Sequence, residues 1–283
     1  MSGRVKTVTT INGRMVKQGR GAVSVFDNGL LYAEGLFETM LAIDDRAIFW
    51  DEHLKRLYKG TAVTGLKLPI EADELTRWMK KTLRAHPSRL TKLRLTITAG
   101  ESARWVGAQG KPQVIFGAAE HQMPVEPFKL HVSRFHVDQD SIFRRIKTIS
   151  YAIHAAALSQ AKRAGCDDAL MLNEKGQVAE VTSANIFWVK KDRIYTTPLA
   201  SGCLDGVTRK IVLRELKKLK YNPVERNCNL TTLAKADEVF ITSSLKLVAA
   251  VALIQNGRER YRFDSGPITQ EISHHLRRMV GLE

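Results

Sequence analysis

Only three of the 283 residues are cysteine, at positions 166, 203 and 228. Their number is odd and no two form a C-x-x-C pair, so neither a disulfide framework nor a zinc ribbon fits, and a reducing compartment is expected. Long apolar runs are missing too. No stretch approaches the roughly 18 to 20 residues that cross a bilayer, and the opening MSGRVKTVTTING has no apolar core ahead of a small-residue cleavage site. The expectation is a cytoplasmic chain without a membrane partner. The histidines offer no metal-ligand spacing: His131 and His136 lie five apart on extended chain, and His274 and His275 are neighbours on a helix. No G-x-G-x-x-G follows a strand, and GAQGKPQ lacks the spacing and the hydroxyl of a P-loop.

Acidic charge is the scarce sign. Lys and Arg number 44 against 29 Asp and Glu, for a formal net charge of +15. A basic chain invites a nucleic-acid reading. The densest cluster, RKIVLRELKKLK, puts Arg209, Lys210, Arg214, Lys217, Lys218 and Lys220 on one half of a helical wheel and Ile211, Val212, Leu216 and Leu219 on the other. No aromatics interleave for base stacking. The pattern reads as a solvated face over a buried stripe, a nucleic-acid partner is not expected, and attraction of anionic substrates and cofactors is the simpler use of the charge.

What is present has the periodicity of an α+β chain, long enough for two domains. VTTING and RMVKQG flank Asn12-Gly13, a hairpin signature. GLFETMLAIDDRAIFW turns in the same way at Asp44-Asp45, and LRLTIT and QVIFGA read as two further strands. A helix is expected from Asp51 as N-cap to Gly65, with Leu54, Leu57 and Tyr58 inward, and a second over about 71–85. The two prolines of AAEHQMPVEPF mark a linker. The expected organisation is a small domain over 1–119, a linker over 120–127 and a larger domain over 128–283. The larger part opens with KLHVSRF and alternates strands and turns through DALMLN and QVAEVTSANIFWVK. It closes with a helix over about 267–280 that buries Ile272, Leu276 and Val280.

Two local patterns bear on chemistry. DGVTRK, residues 205–210, starts a helix, where unpaired N–H groups and the helix dipole favour an anion. Ser243 to Lys246 matches S-x-x-K, the nucleophile motif of penicillin-recognising enzymes, but the S-D-N and K-T-G elements do not follow it. Lys147, in FRRIKTISY, reads by itself as surface charge beside two arginines.

Six segments change that reading: VFDNGLLYAEGLFETM, EHLKRL, IKTISY, AGCDDALMLNEKGQVAEVTSANIFWV, SGCLDGVTRKIV and ADEVFITSSL. They resemble, in order and spacing from residue 23 to about 250, the class IV aminotransferases. This is the fold-type IV pyridoxal-phosphate group that holds branched-chain and D-amino acid aminotransferases and aminodeoxychorismate lyase. The resemblance implies a two-domain α+β fold with the cofactor cleft between a small N-terminal and a larger C-terminal, cofactor-binding domain, and a homodimer.

Residue by residue, the resemblance implies that Lys147 is the Schiff-base lysine, whose amine attacks only when deprotonated. Glu180 would pair with the pyridine nitrogen and keep the ring an electron sink. Asn185 stands at a matching position in ANIFW. Arg56 would bind the phosphate with its planar fork, joined by Val207, Thr208, Ser243 and Ser244, and Tyr151 would contact the cofactor oxygen beside the aldehyde. Phe37, Arg94 and Arg104 would bind substrate. Arg94 matches an arginine of the branched-chain type, and Arg104 the carboxylate-binding arginine of the D-amino acid type, although Val106 stands where that type has a histidine. The expected activity is amino-group transfer between an α-amino acid and a 2-oxo acid. The alternative on the same residues is the lyase that forms 4-aminobenzoate, because both reactions begin by removing the same α-proton.

Overall fold

A computed structural model describes residues 7–17, 20–102 and 110–283. The chain forms two compact units, one of residues up to Met123 with Ile146–Ser150, the other of Pro124–Arg145 with Tyr151–Glu283.

The first unit contains β1 (Thr7–Ile11), β2 (Arg14–Val16), the single turn α1 (Asn28–Leu31), β3 (Gly35–Ile43), β4 (Arg46–Ala47), α2 (Trp50–Thr64), α3 (Ala72–Arg84), β5 (Leu90–Glu101) and β6 (Lys111–Glu120). The strands form one sheet in the order β2-β1-β6-β5-β3-β4, antiparallel throughout. The β1–β2 hairpin turns at Asn12 and Gly13, with φ of 48° and 72°, the left-handed pair that a tight hairpin needs. Alternation along the strands puts Leu36, Met40, Leu93, Leu95 and Ile97 in a core with Leu54, Leu57, Leu75, Met79 and Leu83 of the helices. Phe37 and Arg94 therefore belong to the opposite face of the sheet.

Two sequence expectations change here. Asp51 is not the N-cap of α2: Phe49, left-handed at φ 57°, holds that position without a side-chain bond, and Asp51 sits in the first turn, where its charge still complements the helix dipole. Tyr58 is 38% exposed while Leu54 and Leu57 are buried. The strand β6 ends at Glu120, where it pairs with Thr91 of β5.

The second unit contains β7 (Phe128–Val132), a 3-10 turn at Ile142–Arg145, α4 (Ala152–Arg163), β8 (Asp168–Leu172), β9 (Val178–Val181), β10 (Asn185–Lys190) and β11 (Arg193–Thr196). After a 3-10 turn at Leu199–Ser201 come α5 (Val207–Lys218), β12 (Val224–Glu225), α6 (Leu230–Leu233), β13 (Glu238–Ser243), β14 (Leu247–Asn256), β15 (Glu259–Arg262) and α7 (Pro267–Val280). Its nine-stranded sheet runs β12-β11-β10-β13-β14-β7-β8-β9, with β15 on β14. It is mixed, since β7 lies parallel to both β14 and β8 while β10 and β13 are antiparallel. The inner strands β10 and β13, and β9 at the end of the sheet, are buried along nearly their whole length. Arg209 leaves the expected solvated face of α5. It is 3% exposed, donating to the Thr197 carbonyl at 2.8 Å and to Glu225 at 2.6 Å.

Candidate functional site

The segment around Lys147 belongs to the first unit. Its backbone runs beside the start of β3: the Lys147 carbonyl accepts from the Phe37 N–H at 2.9 Å, and the Ile149 N–H donates to the Gly35 carbonyl at 3.0 Å. A Cβ on Gly35 would run into Ile149 and the Ile97 carbonyl, so only glycine permits this approach. Pinned in this way, Lys147 holds its Nζ 4.3 Å from the centre of the Phe37 ring. The Arg94 guanidinium lies 3.9 Å from the same ring and donates from Nε to Thr96 Oγ1 at 3.1 Å. One aromatic thus orients two cations of the first unit.

Arg56 is 6% exposed on α2 and carries a partner that the sequence did not disclose. Its Nε donates to Glu38 Oε1 at 2.8 Å and its NH2 to Oε2 at 2.5 Å, a two-point fork. His53 Nδ1 lies 2.6 Å from Glu38 Oε2. Burial pushes the Glu38 carboxyl upward, but Arg56 and then His53 outweigh it and hold it at about 2. Burial drives His53 below its ordinary value. Glu38 opposes that shift, while Arg56 and Lys147 add to it. The signal for Glu38 was in the strand: it is the one carboxylate on the core-facing side of β3, a position that a lone charge does not occupy.

In the second unit, Glu180 on β9 is 4% exposed. Its Oε1 accepts from Arg144 NH2, with His154 Nε2 3.3 Å away, and its Oε2 accepts from the Leu204 N–H at 2.8 Å. Burial pushes this carboxyl upward, yet His154, Arg144 and the Leu204 N–H together hold it below the usual range. Glu180 is therefore a fixed anion. Tyr151, at the start of α4, stacks on His154 with ring centroids 4.3 Å apart and donates its hydroxyl to the Thr182 carbonyl at 2.6 Å. The sequence reading passed over Arg144 and His154. Arg144 was visible as one of two arginines just upstream of Lys147, but only the fold turns it toward Glu180.

The α5 N-terminus has no side-chain cap, so the N–H groups of its first turn, Val207 and Thr208 among them, lack helical partners. Asn185 braces the approach by donating Nδ2 to the Leu204 carbonyl at 2.9 Å, and a Cβ on Gly206 would strike its Oδ1. Thr208 Oγ1 and Thr242 Oγ1 are buried and lack a hydrogen-bond partner among the described residues, an arrangement that costs stability unless a ligand supplies one. Thr242 was missed because the sequence reading placed the hydroxyls at Ser243 and Ser244. Both are half-buried at the end of β13, and Ser243 Oγ accepts from the Lys246 N–H at 3.3 Å. Lys246 of the S-x-x-K pattern donates its Nζ to Ser183 Oγ at 2.8 Å. Arg104 lies outside the described residues.

An unpaired helix start with buried hydroxyls suits a phosphate, an ionised buried carboxylate suits a protonated ring nitrogen, and a half-buried amine suits an aldehyde. These donor sets fit the groups of pyridoxal phosphate. Comparison with known proteins agrees. Residues 35–254 match the family model described as amino-transferase class IV. A Methanocaldococcus jannaschii protein provisionally named a branched-chain-amino-acid aminotransferase is 32% identical over 93% of this chain and 92% of its own length. The D-alanine aminotransferase of Bacillus licheniformis is 29% identical over 95% of each chain. The solved structure of the T.th. branched-chain amino acid aminotransferase complexed with N-(5'-phosphopyridoxyl)-L-glutamate superposes with a TM-score of 0.86 at 27% identity, covering 98% of this chain and 95% of that one.

Proposed function

The chain belongs to the class IV aminotransferase family, and from that premise we infer the chemistry of its residues. It is a pyridoxal-phosphate-dependent aminotransferase acting on amino acids and 2-oxo acids. When bound, the cofactor supplies an aldehyde carbon for the amino group and a ring that accepts the electron pair left at the substrate α-carbon. Lys147 Nζ would hold the cofactor through its aldehyde carbon, and its free amine would serve as the base that moves the substrate α-proton. Glu180 would accept from the protonated ring nitrogen and keep the ring an electron sink. Val207 and Thr208 offer backbone N–H groups to the phosphate, and Thr208, Ser243 and Ser244 offer hydroxyls, to which Thr242 is added here. Arg56 supplies the cation, its fork oriented by Glu38. Asn185 braces the Leu204 carbonyl, and Tyr151 would contact the cofactor oxygen next to the aldehyde. Phe37 carries Lys147 and Arg94 at set positions. Arg94 would favour substrates with a second carboxylate, and the resemblance assigns Arg104 the α-carboxylate.

The single observation that carries this reading is Glu180, a buried carboxylate held ionised by its neighbours. An exposed apolar series in the first unit, with Val25 at 64%, Phe26 at 62%, Leu30 at 67% and Leu31 at 50%, supports a homodimer through that surface. Three buried free thiols support a cytoplasmic setting. Among the described residues no helix is long and apolar enough to cross a membrane.

The test is reconstitution with pyridoxal phosphate. The bound cofactor should absorb in the visible, and borohydride should fix it to the Lys147 peptide. In a separate, unreduced sample the band should be bleached by L- or D-amino acids, which decides the hand. A colourless protein unaltered by the cofactor would overturn the reading, and release of 4-aminobenzoate from aminodeoxychorismate in place of bleaching would turn it to the lyase.

A further inference from the structure

Arg144 touches three groups at once. Its Nε donates to the Gly202 carbonyl at 2.9 Å, NH1 lies 3.2 Å from His154 Nε2, and NH2 donates to Glu180 Oε1. The side chain is 18% exposed and that of Glu180 6%, so the pair is largely withdrawn from water. The Gly202 end is itself fixed. Gly202 sits at φ 88°, which favours glycine, and closes the 3-10 turn Leu199–Ser201. Two residues later the same segment gives Glu180 its other donor, the Leu204 N–H. Arg144 and Leu204 therefore hold one oxygen each of a single carboxylate, and both are tied to the 199–204 segment.

We propose that Arg144 is the positioning residue of the site: it sets the orientation and the charge of Glu180, and acts on the cofactor only through that carboxylate. The proposal rests on the cofactor reading above. A buried glutamate without a cation reverts toward its neutral form, because burial penalises the anion. A neutral Glu180 would turn from acceptor to donor at the ring nitrogen. A guanidinium fits the task because it cannot be deprotonated and its planar fork reaches Gly202, His154 and Glu180 together. A lysine keeps the charge but has one nitrogen, and can satisfy only part of that set.

The experiment is a double-mutant cycle on the full chain, with pyridoxal phosphate affinity measured by fluorescence titration and the absorption maximum of the bound cofactor read alongside. Arg144→Ala should weaken cofactor binding about tenfold and move the absorption maximum in the Glu180 background. In the Glu180→Gln background the same change should alter binding less than about twofold, because the carboxylate it acts through is gone. Arg144→Lys should recover part of both effects. An equal loss in the two backgrounds, or wild-type binding and spectrum for Arg144→Ala, would overturn the proposal. If Arg144→Ala fails to fold by circular dichroism, the Arg144→Lys cycle decides by the same criterion. Failure of the wild type to bind the cofactor would instead sink the reading on which the proposal rests.

Discussion

Glu38 contributes most by being charged. Its carboxyl is held at about 2 in the folded chain against an ordinary 4.5, so its stabilising effect is complete above 4.5 and is lost as pH falls toward 2. His53, also lowered, acts in the same direction: the unfolded chain takes up its proton first, and stability declines below about 6.5. The thermal midpoint should therefore fall as pH drops from 6.5, and more steeply below 4.5. In Glu38→Gln the steep part should be flattened and the neutral-pH midpoint lowered, since Arg56 loses the anion and one of its two anchoring oxygens; differential scanning calorimetry across pH checks both. Lys147→Ala removes a nucleophile from a segment that backbone hydrogen bonds pin beside β3. It should fold normally and never become covalently linked under borohydride, as mass spectrometry would show. Glu180→Gln should still bind the cofactor but slow amino-acid-dependent bleaching by roughly 100-fold, the usual scale for losing one preorganised electrostatic partner. Stopped-flow rates equal to wild type would refute the role given to Glu180. Arg104→Ala should weaken all α-amino acids by about 1.5 to 3 kcal/mol, or one to two orders of magnitude. If Arg94→Ala does so instead, the two arginines exchange roles.

At the level of the element, α5 serves two purposes. Ile211, Val212 and Leu216 bury one side, and its first turn stays open because Gly206 brings no side chain to close it. Gly206 has an ordinary φ of −67°, so its requirement is space: a methyl group would displace Asn185, which bonds Leu204, the residue whose N–H holds Glu180. Gly206→Ala should lower stability by about 1 to 3 kcal/mol and also weaken cofactor binding. A thermal shift without a change in pyridoxal phosphate affinity would separate the helix start from the site.

At the scale of the whole molecule, the apolar series from Val25 to Leu31 is the feature that a monomer explains least. Four large apolar residues in seven positions are half or more exposed, and such a patch usually marks a partner surface. Leu30→Asp should shift the species seen by light scattering from dimer toward monomer. A wild type that is monomeric at micromolar concentration would remove the patch from the assembly.

Much of this was legible in the sequence because it is local. The Asn12-Gly13 turn, the start of α5 at Val207 and the closing helix with Ile272, Leu276 and Val280 follow from backbone preference and periodicity, which act over a few residues. The six ordered segments pointed to the family for the same reason: each motif is contiguous. Partnerships across long separations were not legible. Glu38 with Arg56, Arg144 with Glu180 and the unpaired hydroxyls of Thr208 and Thr242 each depend on which strand lies beside which helix. Identical residue types at those positions would read as surface charge or buried spacers until the sheets are assembled. The sequence by itself determined the elements and the family. Only the tertiary structure decided which charges are buried together, because burial and pairing belong to the packed chain and to no segment of it.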